Sequence, residues 1–130
     1  MAVPAPDPFR DPSGELEDGW RFEGHDGVGR PVRILVGETE LARTYLGVTI
    51  GRHPLLCHRV IEDSSVSRRH FRLGRSAGGI FIEDVNSLNG TYLDGEALGP
   101  FDPVLLHDGQ ILTLGRVVLT AARLGPAGAG

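Results

Sequence analysis

Ser64-Ser65-Val66-Ser67-Arg68-Arg69-His70 is the densest cluster of anion-holding side chains in this 130-residue chain. It packs three hydroxyls, two guanidiniums and an imidazole into one short segment. The residues on either side read as strands. Gly47-Val48-Thr49-Ile50-Gly51 is β-rich, and Arg52-His53-Pro54 ends it, because proline is poorly tolerated inside a sheet. On the other side, His70-Phe71-Arg72-Leu73 alternates polar with apolar, the period of a half-buried strand. Val60-Ile61 precede Glu62-Asp63-Ser64-Ser65, whose short polar side chains mark a turn. The cluster therefore belongs to a loop between strands.

The same grammar extends outward. Trp20 and Phe22 alternate with Arg21 and Glu23, and Asp26-Gly27 signals a turn, so Trp20–Gly24 is expected to pair with Val32–Val36. Gly37–Leu46 is ambiguous and has room for only a short helical turn. Leu55–Val60 reads as loop or short strand. Beyond the cluster, Gly78-Gly79 turns into Ile80-Phe81-Ile82, and Asn86–Gly90 is a further turn. Thr91–Leu98 reads as a tight hairpin about Asp94-Gly95. Pro100–Pro103 reads as loop, and Gln110–Leu114 is expected to pair with Val117–Ala121 across Gly115-Arg116. No amphipathic helix of normal length emerges. Short strands with turn signals every ~8–12 residues predict an all-β, two-sheet sandwich of mostly antiparallel strands, with functional loops gathered at one end.

Length fits one domain, large enough to bury a core without disulfide or metal. Residues 1–18 are Pro-rich and acidic and read as a disordered tail; 19–123 form the domain; 124–130 read as a flexible tail. The single Cys57 excludes an internal disulfide and a cysteine zinc cage, and it reads as a packed small side chain rather than a reactive thiol. His53, His58 and His107 are dispersed, without metal-ligand spacing. Neither a signal-like start nor an apolar run of spanning length occurs, which predicts a soluble cytoplasmic protein. A formal charge of −4 argues against a general nucleic-acid binder. Charge is unevenly placed, however. Residues 52–75 hold six arginines against Glu62 and Asp63, a local excess that points to a discrete anionic ligand.

Three short motifs carry that ligand chemistry: Gly51-Arg52, Ser67-Arg68-Arg69-His70, and Ser87-Leu88-Asn89-Gly90. In this order, with strands between them and Asp108-Gly109 ahead of the last hairpin, they resemble the forkhead-associated domain, a phosphothreonine-peptide-binding β-sandwich. The resemblance covers roughly residues 30–123. It implies that Arg52, Ser67 and Arg68 contact phosphate and that Asn89 clamps the ligand main chain. It also implies that Gly51, His70, Ser87 and Gly90 shape the site. The chemistry agrees independently: a phosphate monoester carries close to two charges, and a guanidinium offers paired N–H donors to its oxygens. The residue between Ser87 and Asn89 is often threonine in the family, with a hydroxyl able to reach phosphate. Here it is Leu88, which can instead pack on a ligand methyl or side chain. Arg69 and Arg72 read as solvated strand residues, and Asn86 as a turn former.

The implied function is recruitment of a phosphothreonine-containing protein marked by an upstream Ser/Thr kinase, with no cofactor, metal, nucleic acid or membrane involved. Motif style and the use of arginine for all 13 basic residues suggest a bacterial source. Thr44 is the best internal site if the chain is itself phosphorylated. Two other classes compete. Ser67 and His70 with Asp84 or Asp108 supply hydrolase residue types, but the nucleophile elbow and an evident oxyanion hole are absent. A sandwich that binds partners regardless of phosphorylation is the third class, and Leu88 keeps it open.

Overall fold

The computed structural model describes residues 18–125. β1 (Gly19–His25) and β2 (Pro31–Gly37) lead into a single-turn α1 (Glu38–Arg43), followed by β3 (Val48–Gly51), β4 (Arg59–Val60), β5 (Phe71–Ser76) and β6 (Gly79–Asp84). β7 (Thr91–Leu93), β8 (Glu96–Ala97), β9 (Val104–Leu105), β10 (Ile111–Leu114) and β11 (Val117–Leu124) complete the chain. They form two sheets, ordered β2-β1-β11-β10-β7-β8 and β4-β3-β5-β6-β9. The expected sandwich is what forms.

Alternation sets the register. Trp20 stands opposite Val36 and Phe22 opposite Ile34, so one face of the β1–β2 hairpin is wholly apolar. Phe22 reaches Phe71 of the other sheet, ring centroids 6.3 Å apart and tilted by 56°. Both are fully buried, as are Ile50, Leu73, Ile82, Leu112, Leu114 and Leu119. Burying each such side chain contributes roughly 1.5–3 kcal/mol, and this shared core holds the loops between the strands in fixed relation.

Some expectations change in detail. The ambiguous Gly37–Leu46 segment contains α1, which ends as the Thr44 hydroxyl donates to the Glu40 carbonyl at 2.6 Å. Of Leu55–Val60 only Arg59–Val60 is strand, and it pairs parallel to β3. β9 was not foreseen; two residues after the Pro100–Pro103 loop pair with Phe81–Ile82. Leu124, assigned to the tail, closes β11 against Gly19. The remainder of the expected tails, 1–17 and 126–130, lies outside the described residues. No helix among the described residues is long and apolar enough to cross a membrane.

Candidate functional site

The β3–β4, β4–β5, β6–β7 and β10–β11 loops meet at one end of the sandwich, and hydrogen bonds between them fix the meeting. The Arg52 N–H donates to the Ser67 carbonyl at 2.9 Å, and the His53 N–H to that of Arg68 at 3.2 Å. Leu88 N–H donates to Ser67 Oγ at 2.9 Å, and Asn89 Nδ2 to the Ser65 carbonyl at 2.8 Å. Arg116 N–H donates to Ser65 Oγ at 2.8 Å. Residues from the three motifs then line one open depression of about 320 Å³, bounded by Arg52, Ser67, Arg68, Arg69, Leu88 and Asn89.

Each side chain is held for use. Arg52 is exposed, and its Nε donates to the Val66 carbonyl at 3.0 Å, which aims the guanidinium while both terminal nitrogens stay without a partner among the described residues. Ser67 Oγ accepts from Leu88, so its own proton is left to donate outward. Arg68 is exposed and its guanidinium has no partner among the described residues. Asn89 uses one amide hydrogen on Ser65, which leaves Oδ1 and the second hydrogen without a partner among the described residues.

The shaping residues act by identifiable means. Gly51 does not sit at positive φ; the constraint is space. A Cβ there would stand 2.3 Å from the Arg68 carbonyl oxygen, so any side chain would push the β4–β5 loop away from Arg52. Gly90 does need its conformation, φ 82°, which for other residues is strained. His70 is fully buried. Its Nδ1 accepts the Ser67 N–H at 3.0 Å, so Nε2 carries the proton and donates to the Gly90 carbonyl at 2.8 Å. Burial holds the imidazole pKa below its ordinary value, partly offset by the Gly90 bond and the charge of Asp84.

Asp84 is the residue that sequence reading undervalued. It is 2% exposed and anchors the whole β6–β7 turn. Its carboxylate accepts from the N–H groups of Asn86 and Ser87 and from the hydroxyls of Ser87 and Thr91. The readable signal was Asp84-Val85-Asn86-Ser87, an aspartate followed by turn formers whose amides it can reach. Asp63 does the same for the β4–β5 loop. It accepts from Ser65 N–H and Oγ and, at 2.7 Å, from Gly27 N–H, with the Arg116 guanidinium 3.7 Å away. The Ser65 hydroxyl bond, first among these, lowers its pKa to about 2.

Two arginines differ from expectation. Arg72 is not solvated: it pairs with Glu83 at 2.8 Å and lies 5.1 Å over the Phe81 ring. Arg69 precedes β5 and lines the depression. Cys57 is tied down, its thiol donating to the Arg68 carbonyl at 2.9 Å, and burial raises its pKa. No group of His, Cys, Asp or Glu able to hold a metal occurs among the described residues.

The hydrolase constellation is not assembled. Both nitrogens of His70 face main-chain groups, not Ser67 Oγ. Asp84 is committed to its turn, and Asp108 accepts from the Arg123 N–H. Ser67 Oγ therefore has no imidazole base among the described residues.

Residues 48–115 match the family model of the FHA domain, and the chain belongs to that family. It is 40% identical over 55 residues to the FHA domain-containing protein At4g14490 of Arabidopsis thaliana, covering 42% of this chain and 14% of that protein. It is 38% identical over 68 residues to FhaB of Mycolicibacterium smegmatis, covering 48% and 43%. The chain spans less than half the length of these relatives. Among solved structures, the FHA domain of the CT664 protein from Chlamydia trachomatis superposes with TM-score 0.62 at 19% identity, covering 80% of this chain and 96% of that one. An FHA domain studied for phosphothreonine-dependent interactions gives TM-score 0.58 at 24% identity, covering 80% and 95%. These likenesses establish the fold.

Proposed function

We infer that this chain is a phosphothreonine-peptide-binding module that recruits a partner marked by a Ser/Thr kinase. The observation that carries the reading is the shared depression. In it the free guanidinium ends of Arg52 and Arg68 stand beside a Ser67 hydroxyl whose lone pair is already engaged. A doubly charged tetrahedral group needs that combination, since cationic N–H and neutral O–H donors together match its three oxygens. The N–H of Arg68, which meets no acceptor among the described residues, adds a main-chain donor. Asn89, fixed by Ser65, grips the peptide backbone beside the phosphate.

The domain works by binding alone, and its place is the compartment of the kinase, the cytoplasm. A solved relative comes from work on phosphothreonine-dependent FHA domain interactions, which supports the same role here. Leu88, 89% exposed on the rim, favours one competing reading, a contact surface indifferent to phosphate.

Calorimetric titration with a phosphothreonine peptide library and its unphosphorylated counterpart separates the two. The inferred function requires binding of the phosphorylated pool only, abolished by Arg52→Ala with the melting temperature little changed. Equal binding of both pools, untouched by Arg52→Ala, would establish the phosphate-independent surface instead.

A further inference from the structure

Phe101 occupies a backbone conformation that suits glycine. The Asp102 N–H donates to the Gly99 carbonyl at 3.1 Å, closing a turn with Pro100 at its second position and Phe101, φ 60°, at its third. That is the pattern of a type II turn, whose third position favours Gly or Asn, and a bulky side chain there is strained. Burial of the phenyl ring does not offset the strain, for Phe101 is 61% exposed. The turn is fixed all the same: Phe101 N–H donates to the Asp84 carbonyl at 2.8 Å, and Pro100 bridges to Asp84. A strained turn that holds an aromatic side chain out in water points to a contact made there. Its flanks are acidic. Glu96 and Asp102 are exposed, their carboxylates have no partner among the described residues, and the chain carries no arginine between Arg75 and Arg116.

The same chain holds a complement to that turn. A second open depression, of about 380 Å³, is lined by α1, the segment after it, β5 and β6. Ala42, Gly74 and Phe81 give it apolar surface, and Tyr45, almost wholly exposed, adds an aromatic ring. Its two cations differ. Arg72 is committed to Glu83 at 2.8 Å, whereas the Arg75 side chain is 56% exposed and approaches Glu38 at 3.8 Å. Leu105, also exposed, stands beside Phe81 in the ladder, so apolar surface continues from the depression to β9, the strand that follows the Phe101 turn.

We propose that the chain self-associates, with Phe101 of one copy seated in this depression of a second copy and Asp102 set against the second copy's Arg75. An aromatic ring beside a carboxylate meets apolar walls beside a guanidinium, and that charge complementarity selects a second copy as the occupant. The depression shares no lining residue with the one that holds Arg52 and Ser67, so the association leaves that site open.

Sedimentation velocity of the full chain, from micromolar to millimolar concentration, tests it. The mean mass of wild type should climb toward twice that of the monomer or beyond. Phe101→Gly and Phe101→Asn both suit the turn, so the melting temperature should hold or rise. Association should nevertheless weaken at least about tenfold, as when a central aromatic anchor is lost. A merely structural role for Phe101 would not give that combination. Asp102→Arg and Arg75→Asp should each weaken association about two- to fivefold, the range for an exposed ion pair, and the double reversal in one chain should restore it. Wild type that stays monomeric throughout overturns the proposal. So does association that both Phe101 variants leave undiminished, or a double reversal no stronger than either single change.

Discussion

His70 Nε2 lies 2.8 Å from the Gly90 carbonyl while Nδ1 takes the Ser67 N–H at 3.0 Å, so one buried ring joins the β4–β5 loop to the turn that carries Asn89. The bridge is held in a single tautomer by backbone on both sides. Removing the ring leaves a buried N–H and a buried carbonyl unmatched, each costing about 1–3 kcal/mol, and opens a void besides. His70→Ala is expected to destabilise the domain by ~2 kcal/mol or more and to abolish peptide binding. Arg52→Ala, which loses one part-buried side-chain bond, should cost about 1 kcal/mol while also abolishing binding. Thermal melts beside calorimetry check the contrast; equal melting losses would show that the two residues do not divide support from contact.

The same bridge gives a pH dependence. Burial lowers the imidazole pKa from its ordinary 6.5, so the folded state favours the neutral ring. The associated stability is complete above pH ~6.5, where the unfolded chain is also neutral. It is lost progressively as pH falls from there through the lower folded value. Protonation would set Nδ1–H against the Ser67 N–H and separate the loops, so binding should fall over the same window. Melting curves of wild type between pH 8 and 5, set against His70→Asn, are the measurement, and a variant slope as steep as wild type would remove His70 as its source.

Asp63 governs a separate, more acidic limb. Its bonds to Ser65, with the Gly27 N–H and the Arg116 charge, hold the carboxyl at about 2. That stability is intact above the ordinary carboxylate range, near pH 4, and disappears as pH falls through about 2. Asp63→Asn keeps the shape but turns an amide toward donors, at a cost of roughly 1–3 kcal/mol. Because Ser65 also accepts from Asn89, peptide affinity should fall with stability. Urea denaturation of both proteins at pH 7 and pH 2.5 should show the difference shrinking at the lower pH.

Much of this was legible in the chain. Trp20 and Phe22 set against Val36 and Ile34, with the Asp26-Gly27 turn between them, gave the first hairpin, and the three motifs named loops that meet. What was not legible depends on approach between distant segments. Asp84 and Asp63 look like ordinary turn acids until the amides they collect are in view. Gly51 reads as the end of a β-rich run, although its constraint is the Arg68 carbonyl of another loop. Arg69 and Arg72 share a pattern in sequence, yet one lines the site and the other is fixed by Glu83 and Phe81. β9 carries two residues and no periodicity to detect.

Gly51→Ala tests the close approach directly. The added carbon would stand 2.3 Å from the Arg68 oxygen, and backbone rather than a flexible side chain must yield. The cost should reach ~2 kcal/mol or more, in the manner of other buried overpacking changes. Moving Arg68 outward also breaks the Arg52 N–H bond to Ser67, so binding should drop at least tenfold even where the protein remains folded. Circular-dichroism melts with calorimetry at a temperature well below the transition decide it; unaltered affinity in the folded variant would mean the loops tolerate the shift.

Leu88→Thr asks whether the site lacks a donor or has replaced one. The leucine side chain is 89% exposed, while its N–H is already fixed to Ser67 Oγ, so the substitution alters the rim without altering the frame. A threonine hydroxyl able to reach a phosphate oxygen would add a charge-assisted hydrogen bond, about 1.5–3 kcal/mol or roughly tenfold and upward in affinity. Stability should be unchanged within about 0.5 kcal/mol, as for other exposed substitutions. Tighter binding to every phosphothreonine peptide, whatever its flanks, would show that the missing donor limits the wild-type site. Weaker binding confined to peptides with an apolar flanking residue would show the opposite: Leu88 is itself a contact, packing against the ligand in place of the hydroxyl.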